Sequence, residues 1–213
     1  MNTYRWRILV VGTIALTLVL AASSVRAADP PTLFQRSYQL EAQKKHRSAL
    51  QALMGLSNSH KRTYFYWLRR AWLTYRVADY NDAIASYRRA IALERNAVEP
   101  WIGITLPQMA SRRFVDAAAS ARRVLSIEPK SYVAQSRLAY CLYSLGQHKK
   151  AERLYAQLLA RYPADLTMRT GLGWAQLKQG KRSAARAAFS AVLRVSPKNV
   201  SAKAGARALG IAP

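Results

Sequence analysis

Acidic residues, histidine and cysteine are all scarce in this 213-residue sequence, and each scarcity removes a class of chemistry. The single cysteine, Cys141, cannot form an intrachain disulfide, and among apolar neighbours it reads as a small buried residue. The three histidines, His46, His60 and His148, do not stand at zinc-ligand spacing. No pair of carboxylates falls in a credible pocket, and Gly171-Leu172-Gly173 lacks the rest of a phosphate-binding loop. With no nucleophile beside a base and no ligand cluster, the sequence predicts no catalytic residue, no metal and no cofactor, hence a protein that is not an enzyme.

There is one long apolar run. Arg5 and Arg7 precede a stretch from Ile8 to Ala22, and Val25-Arg26-Ala27 places small residues at minus three and minus one ahead of Ala28. A run of about fifteen residues is shorter than the ~20 that a membrane span takes. Residues 1–27 are therefore expected to be a cleaved signal peptide, with an uncleaved membrane anchor as the alternative, and the mature protein is expected in the periplasm or outside the cell. The stretch is not followed by a cysteine, which disfavours a lipoprotein.

Positive charge is abundant. Lys and Arg number 34 against 10 Asp and Glu, a formal net charge of +24, which loss of Arg5, Arg7 and Arg26 would lower by three. No acid follows Asp165. Such a surface attracts anionic matter and binds it less in salt. In a cytoplasmic chain nucleic acid would come first, but export turns the expectation to acidic proteins, acidic polysaccharide or an anionic membrane surface. The plainer reading is a solvated basic face.

Alanine recurs at Ala49, Ala83, Ala117, Ala151 and Ala185, at intervals of 34 residues without insertion or deletion. Twelve residues before each stand Ser37, Ala71, Thr105, Ala139 and Gly173, all small. Four residues after each stand Leu53, Tyr87, Ala121, Tyr155 and Phe189, and three units close on Pro129, Pro163 and Pro197. Small residues at two fixed points let two helices approach closely, and large ones four apart share a helical face. Each unit reads as a helical hairpin, with turns at Ala78-Asp79, Gly146-Gln147 and Gly180-Lys181. Thr32 and Gln35 are spaced as a capping box for the first helix. His46 and His148 share a slot with Tyr80 and Phe114, so they read as packing residues at the start of a second helix.

These residues resemble the tetratricopeptide repeat, which pairs a small residue in its first helix (A) with alanine in the second (B), then an aromatic, then proline. The resemblance implies an all-α fold, a right-handed superhelical solenoid of five 34-residue hairpins. The units span 30–63, 64–97, 98–131, 132–165 and 166–199 within 30–199, and residues 200–213 form a capping helix and tail. Residues 30–63 are the weakest copy. In the middle copy Gly103 and Pro107 fall inside helix A, which predicts a kinked or weak unit.

In this family helix A lines a concave groove. The slot after the small residue reads Tyr38, Trp72, Leu106, Tyr140 and Trp174; one turn on, the same face carries Glu41, Tyr75, Met109, Tyr143 and Leu177. Arg69, Arg76 and Arg137 border it. The expected groove is therefore Tyr38, Arg69, Trp72, Tyr75, Arg76, Arg137, Tyr140, Tyr143 and Trp174, with Trp72 and Trp174 facing it rather than holding helices together. The asparagines of carboxylate-clamp members are missing, so a chaperone-tail receptor is not implied. The predicted function is a non-enzymatic scaffold or adaptor of the bacterial cell envelope, binding a peptide or helix of an envelope protein between aromatics and rim arginines. The alternative is an accessory protein that binds an exported polysaccharide or another anionic envelope polymer.

Overall fold

The computed structural model describes residues 30–210; the expected leader lies outside them. The described chain is helical, with no strand among the described residues. Helix α1 spans Pro30–Ala42, α2 His46–Met54, α3 Tyr64–Arg76, α4 Tyr80–Leu93, α5 Val98–Ala110 and α6 Phe114–Ile127. Then follow α7 (Tyr132–Ser144), α8 (His148–Arg161), α9 (Leu166–Leu177), α10 (Arg182–Val195) and α11 (Val200–Ala208). Helices α3, α5, α7, α9 and α11 begin 34 residues apart, and so do α2, α4, α6, α8 and α10.

Local chemistry fixes these ends. The side chains of Thr63, Asp79, Asp165 and Asn199 accept backbone N–H bonds at the starts of α3, α4, α9 and α11. Pro129, Pro163 and Pro197 follow the ends of α6, α8 and α10, where a helix cannot continue. The expected capping box at Thr32 does not form as such, because α1 already includes Pro30 and puts Thr32 inside the helix.

Every A-to-B turn passes through one left-handed residue: Lys44, Ala78, Arg112, Gly146 and Gly180, with φ of 61°, 66°, 60°, 74° and 75°. Glycine adopts this conformation freely, whereas a Cβ costs roughly 1–2 kcal/mol. Ala78→Gly is therefore expected to raise stability by about 1 kcal/mol, read as a higher urea midpoint at an unchanged slope. An unchanged or lower midpoint would show that the first turns are held by other means.

The core is the stack itself. The five periodic alanines have no exposed surface, and Ser37, Ala71, Thr105 and Ala139 are equally closed. Successive helices pack in order from α1 to α11, and α3, α5, α7 and α9 also touch the next A helix or the cap, whereas B helices make no comparable contact with one another. The A helices therefore form the inner wall.

One packing rule decides what that wall presents. The aromatic four residues after the alanine lies against the next A helix at a glycine. A Cβ on Gly103 would come within 2.4 Å of the Tyr87 ring, one on Gly171 within 2.5 Å of Tyr155, and one on Gly205 within 2.3 Å of Phe189. In the two remaining units the residue after alanine is smaller, Leu53 or Ala121, and the glycine slot holds Arg69 or Arg137. Pro107 lies inside α5, which runs through it without a break, and its ring is fully buried.

Candidate functional site: a groove on the inner wall

The nine residues expected to line one groove fall into two groups. Arg137, Tyr140 and Tyr143 on α7 and Trp174 on α9 line one cavity of about 490 Å³, together with Met109 of α5 and Thr170 of α9. Tyr140 is 44% exposed there, and Trp174 is half-buried. The other five, Tyr38, Arg69, Trp72, Tyr75 and Arg76, surround Glu41 or pack beside it, and they contribute no lining residue to that cavity.

Around Glu41 charge is balanced and most polar groups find partners, while Arg69 Nη2 and His46 Nδ1 are buried without a hydrogen bond. The Glu41 carboxylate accepts from Arg69 Nη1 and from Trp72 Nε1, and Arg76 stands 4.0 Å away. Arg69 Nε also donates to Ser37 Oγ at 3.2 Å, and its guanidinium lies 3.8 Å from the Tyr38 ring centre. Burial alone would raise the Glu41 pKa; the hydrogen bonds of Trp72 and Arg69 and the charges of Arg69 and Arg76 outweigh it and hold the carboxyl below its ordinary 4.5. The sequence puts Arg69 on the rim, and here the structure differs. Arg69 is 6% exposed, an interior residue whose charge is met within the fold by Glu41. Tyr75 stacks obliquely on Trp72 and Tyr80, at 5.8 and 6.1 Å between ring centres. Arg76 stays partly exposed and points its Nη2 at His46 Nε2, 2.9 Å away.

The two tryptophans also do more than face a groove. Trp72 packs on the core between α2 and α3 while bonding Glu41 of α1. Trp174 meets Phe189 edge-on at 5.4 Å and donates from Nε1 to Ser201 Oγ at 3.0 Å, joining α9, α10 and the cap. Their removal would therefore cost packing as well as any contact with a partner, and an effect of Trp→Ala on melting is expected. Tyr140, exposed and touching Phe114 only by its edge at 5.9 Å, is the cleaner probe of the cavity.

Arg137 is the charge of the cavity. It donates from Nη1 to the Ile102 carbonyl and to Thr105 Oγ1, the latter at 2.7 Å. Burial depresses its pKa from the ordinary arginine value, against the opposing influence of Tyr87 and Tyr75, and a guanidinium in a protein keeps its proton. Arg137 forms no salt bridge with any described residue. Cys141, one residue beyond Tyr140, is fully buried, and burial pushes its thiol up to about 11, so it is not a nucleophile at neutral pH. No cluster of three or more His, Cys, Asp or Glu side chains able to hold a metal occurs among the described residues. None of the described helices is long and apolar enough to cross a membrane.

Sequence reasoning passes over three participants: Ser37 and Thr105 read only as small spacers, and Glu41 only as one more residue of the face. Comparing slots two units apart finds them, since Ser37/Thr105 and Arg69/Arg137 repeat while Glu41 becomes Met109.

Comparison with known proteins agrees with this architecture. The family profile of the tetratricopeptide repeat matches residues 108–168 and 146–209. The chain is a tetratricopeptide repeat protein. Protein CTR9 homolog of Arabidopsis thaliana is 28% identical over 122 residues, which are 57% of this chain but 11% of that protein, so the chain spans only a small part of the curated relative it matches. Among solved structures, MamA from Desulfovibrio magneticus RS-1 superposes with a TM-score of 0.73 at 14% identity, covering 82% of this chain and 99% of that one. YrrB, a tetratricopeptide protein with an unusual peptide-binding site, gives 0.71 at 12% identity, covering 84% of this chain and 92% of that one. A thermophilic tetratricopeptide protein of Thermus thermophilus gives 0.61 at 16%, covering 85% and 98%. At these identities the likeness concerns the fold. Proteins of this fold are in general non-enzymatic scaffolds for protein–protein interaction.

Proposed function

We propose that this chain is an adaptor of the bacterial cell envelope that binds a peptide segment or helix of an envelope protein in the cavity between α5, α7, α9 and α11. One observation carries the reading: an exposed tyrosine, a second tyrosine, a tryptophan and an arginine without a carboxylate partner among the described residues converge on the same 490 Å³ space. Large rigid aromatics supply most of the energy of a peptide interface, and a cation in their midst fixes its register. The neighbour YrrB, described as having a peptide-binding site, supports a peptide rather than a small molecule. The location rests on the leader-like residues 1–27, and mass spectrometry of the envelope protein is expected to find Ala28 as the first residue.

The test is a photo-crosslinking residue placed at Tyr140 and, separately, at Val195 on the outer face, which is 72% exposed. Protein adducts from position 140 and none from 195 are the expected result in intact envelopes. Attachment of polysaccharide at 140 would replace this reading with the polymer-binding one, to which aromatic faces are also suited. Equal labelling at both positions would shift attention to the basic surface as a whole.

A further inference from the structure

Two places in the array carry the same side-chain arrangement 68 residues apart. Arg69 and Arg137 share a slot, and each reaches back to the preceding A helix to bond a hydroxyl that also shares a slot, Ser37 Oγ at 3.2 Å and Thr105 Oγ1 at 2.7 Å. In the first place the next turn of that helix supplies Glu41, which takes up Arg69 and the donor of Trp72. In the second place the corresponding residue is Met109, and the slot of Trp72 holds Tyr140, another donor. The second copy has no carboxylate in that slot, and Met109, Arg137 and Tyr140 there all line the cavity.

A half-buried guanidinium is costly unless an anion meets it. Its two bonds inside the fold are to uncharged oxygens, a carbonyl and a hydroxyl. We propose that Arg137 and Tyr140 hold the side-chain carboxylate of an acidic residue in the bound peptide, beside Met109, as Arg69 and Trp72 hold Glu41 in the first copy. Glu41 is then a built-in occupant. It closes the N-terminal half of the groove to acidic ligands and leaves the C-terminal half as the only copy of this arrangement among the described residues that is open to one. The neighbouring Tyr143 and Trp174 take an apolar side chain of the same segment, so the recognised element is an acidic residue flanked by a large apolar one. The proposal rests on the reading that the cavity binds peptide.

The experiment uses the full chain and a positional-scanning array of N-acetylated, C-terminally amidated hexapeptides, in which any carboxylate must come from a side chain. Binders are expected to require Glu or Asp at one position, with Glu→Gln in the peptide weakening binding at least tenfold and the difference shrinking in salt. Met109→Glu supplies the internal carboxylate that the first copy already has; it is expected to bring the Glu/Gln ratio near one without lowering the melting temperature. Should that variant fail to fold, the ratio in the parent and in Arg137→Gln decides. Peptides that bind without preference for an acid, and lose binding on Tyr140→Ala, would overturn the carboxylate site while leaving the peptide groove standing. If no peptide binds at all, the groove reading fails and this one with it. An acid preference that survives Met109→Glu and Arg137→Gln alike would place it at another cation and overturn the assignment.

Discussion

Glu41→Gln is expected to lower the free energy of unfolding by about 3 kcal/mol, among the larger effects available to a single isosteric change in this chain. The size follows from what remains behind. Arg69 is 5% exposed in its side chain and loses its counter-charge, and a buried ion pair broken on one side typically costs about 3–5 kcal/mol. Trp72 keeps an acceptor in the amide oxygen, which places the effect at the low end of that range. Urea denaturation of the two proteins measures the difference; a change below about 1 kcal/mol would show that Arg69 is solvated after all and weaken its use as the pattern for Arg137. The pH dependence has a definite sign. The folded carboxyl titrates below its ordinary 4.5, so its stabilisation is complete above that value and is lost as the pH falls through the lower folded value. The glutamine variant is expected to lack this part of the acid loss, and the two stability curves should converge on going down through that window.

The two halves of the inner wall show what a sequence can and cannot disclose. The 34-residue phase places the start of each A helix, the small residues where helices cross and the prolines beyond the B helices, because all of these depend on local spacing. That phase says which residues share a face. It says nothing of which of them are already occupied. Arg69 and Arg137 read alike in a periodic alignment, yet one is neutralised by Glu41 and the other meets only a carbonyl and a hydroxyl. The difference lies in a residue on a neighbouring helix and in the depth to which each stem sinks. Trp72 and Trp174 mislead for the same reason, since a groove-facing slot still lets a large ring reach sideways into the next helix. The middle unit is the converse case. Ala121 reads as a defect in the repeat, but the missing aromatic is matched by Arg137 on the following helix, as Leu53 is matched by Arg69, while each true aromatic is matched by glycine.

That matching leads to the second large effect, a coupled pair. Ala121→Tyr alone is expected to destabilise by about 2–3 kcal/mol, because a ring in the slot of Tyr87 or Tyr155 comes within van der Waals overlap of any Cβ in the facing slot, and Arg137 carries one. Arg137→Gly alone is expected to cost about 1–2 kcal/mol, from glycine inside a helix and the lost side-chain packing, offset in part by relief of a poorly paired charge. The double variant Ala121→Tyr/Arg137→Gly rebuilds the arrangement of Tyr87 on Gly103 and of Tyr155 on Gly171, and its stability should return to within about 1 kcal/mol of the parent. Urea denaturation of the four proteins closes the cycle, and a coupling energy of about 2 kcal/mol or more is the expected result. Simple additivity would mean that the alternation of aromatic/glycine with small/arginine is an accident of five units. The same double variant also separates scaffold from function. It keeps Tyr140, Tyr143 and Trp174 on an intact wall but removes the only cation among the described residues that line the cavity, so it should still hold the apolar part of a peptide while no longer distinguishing glutamate from glutamine.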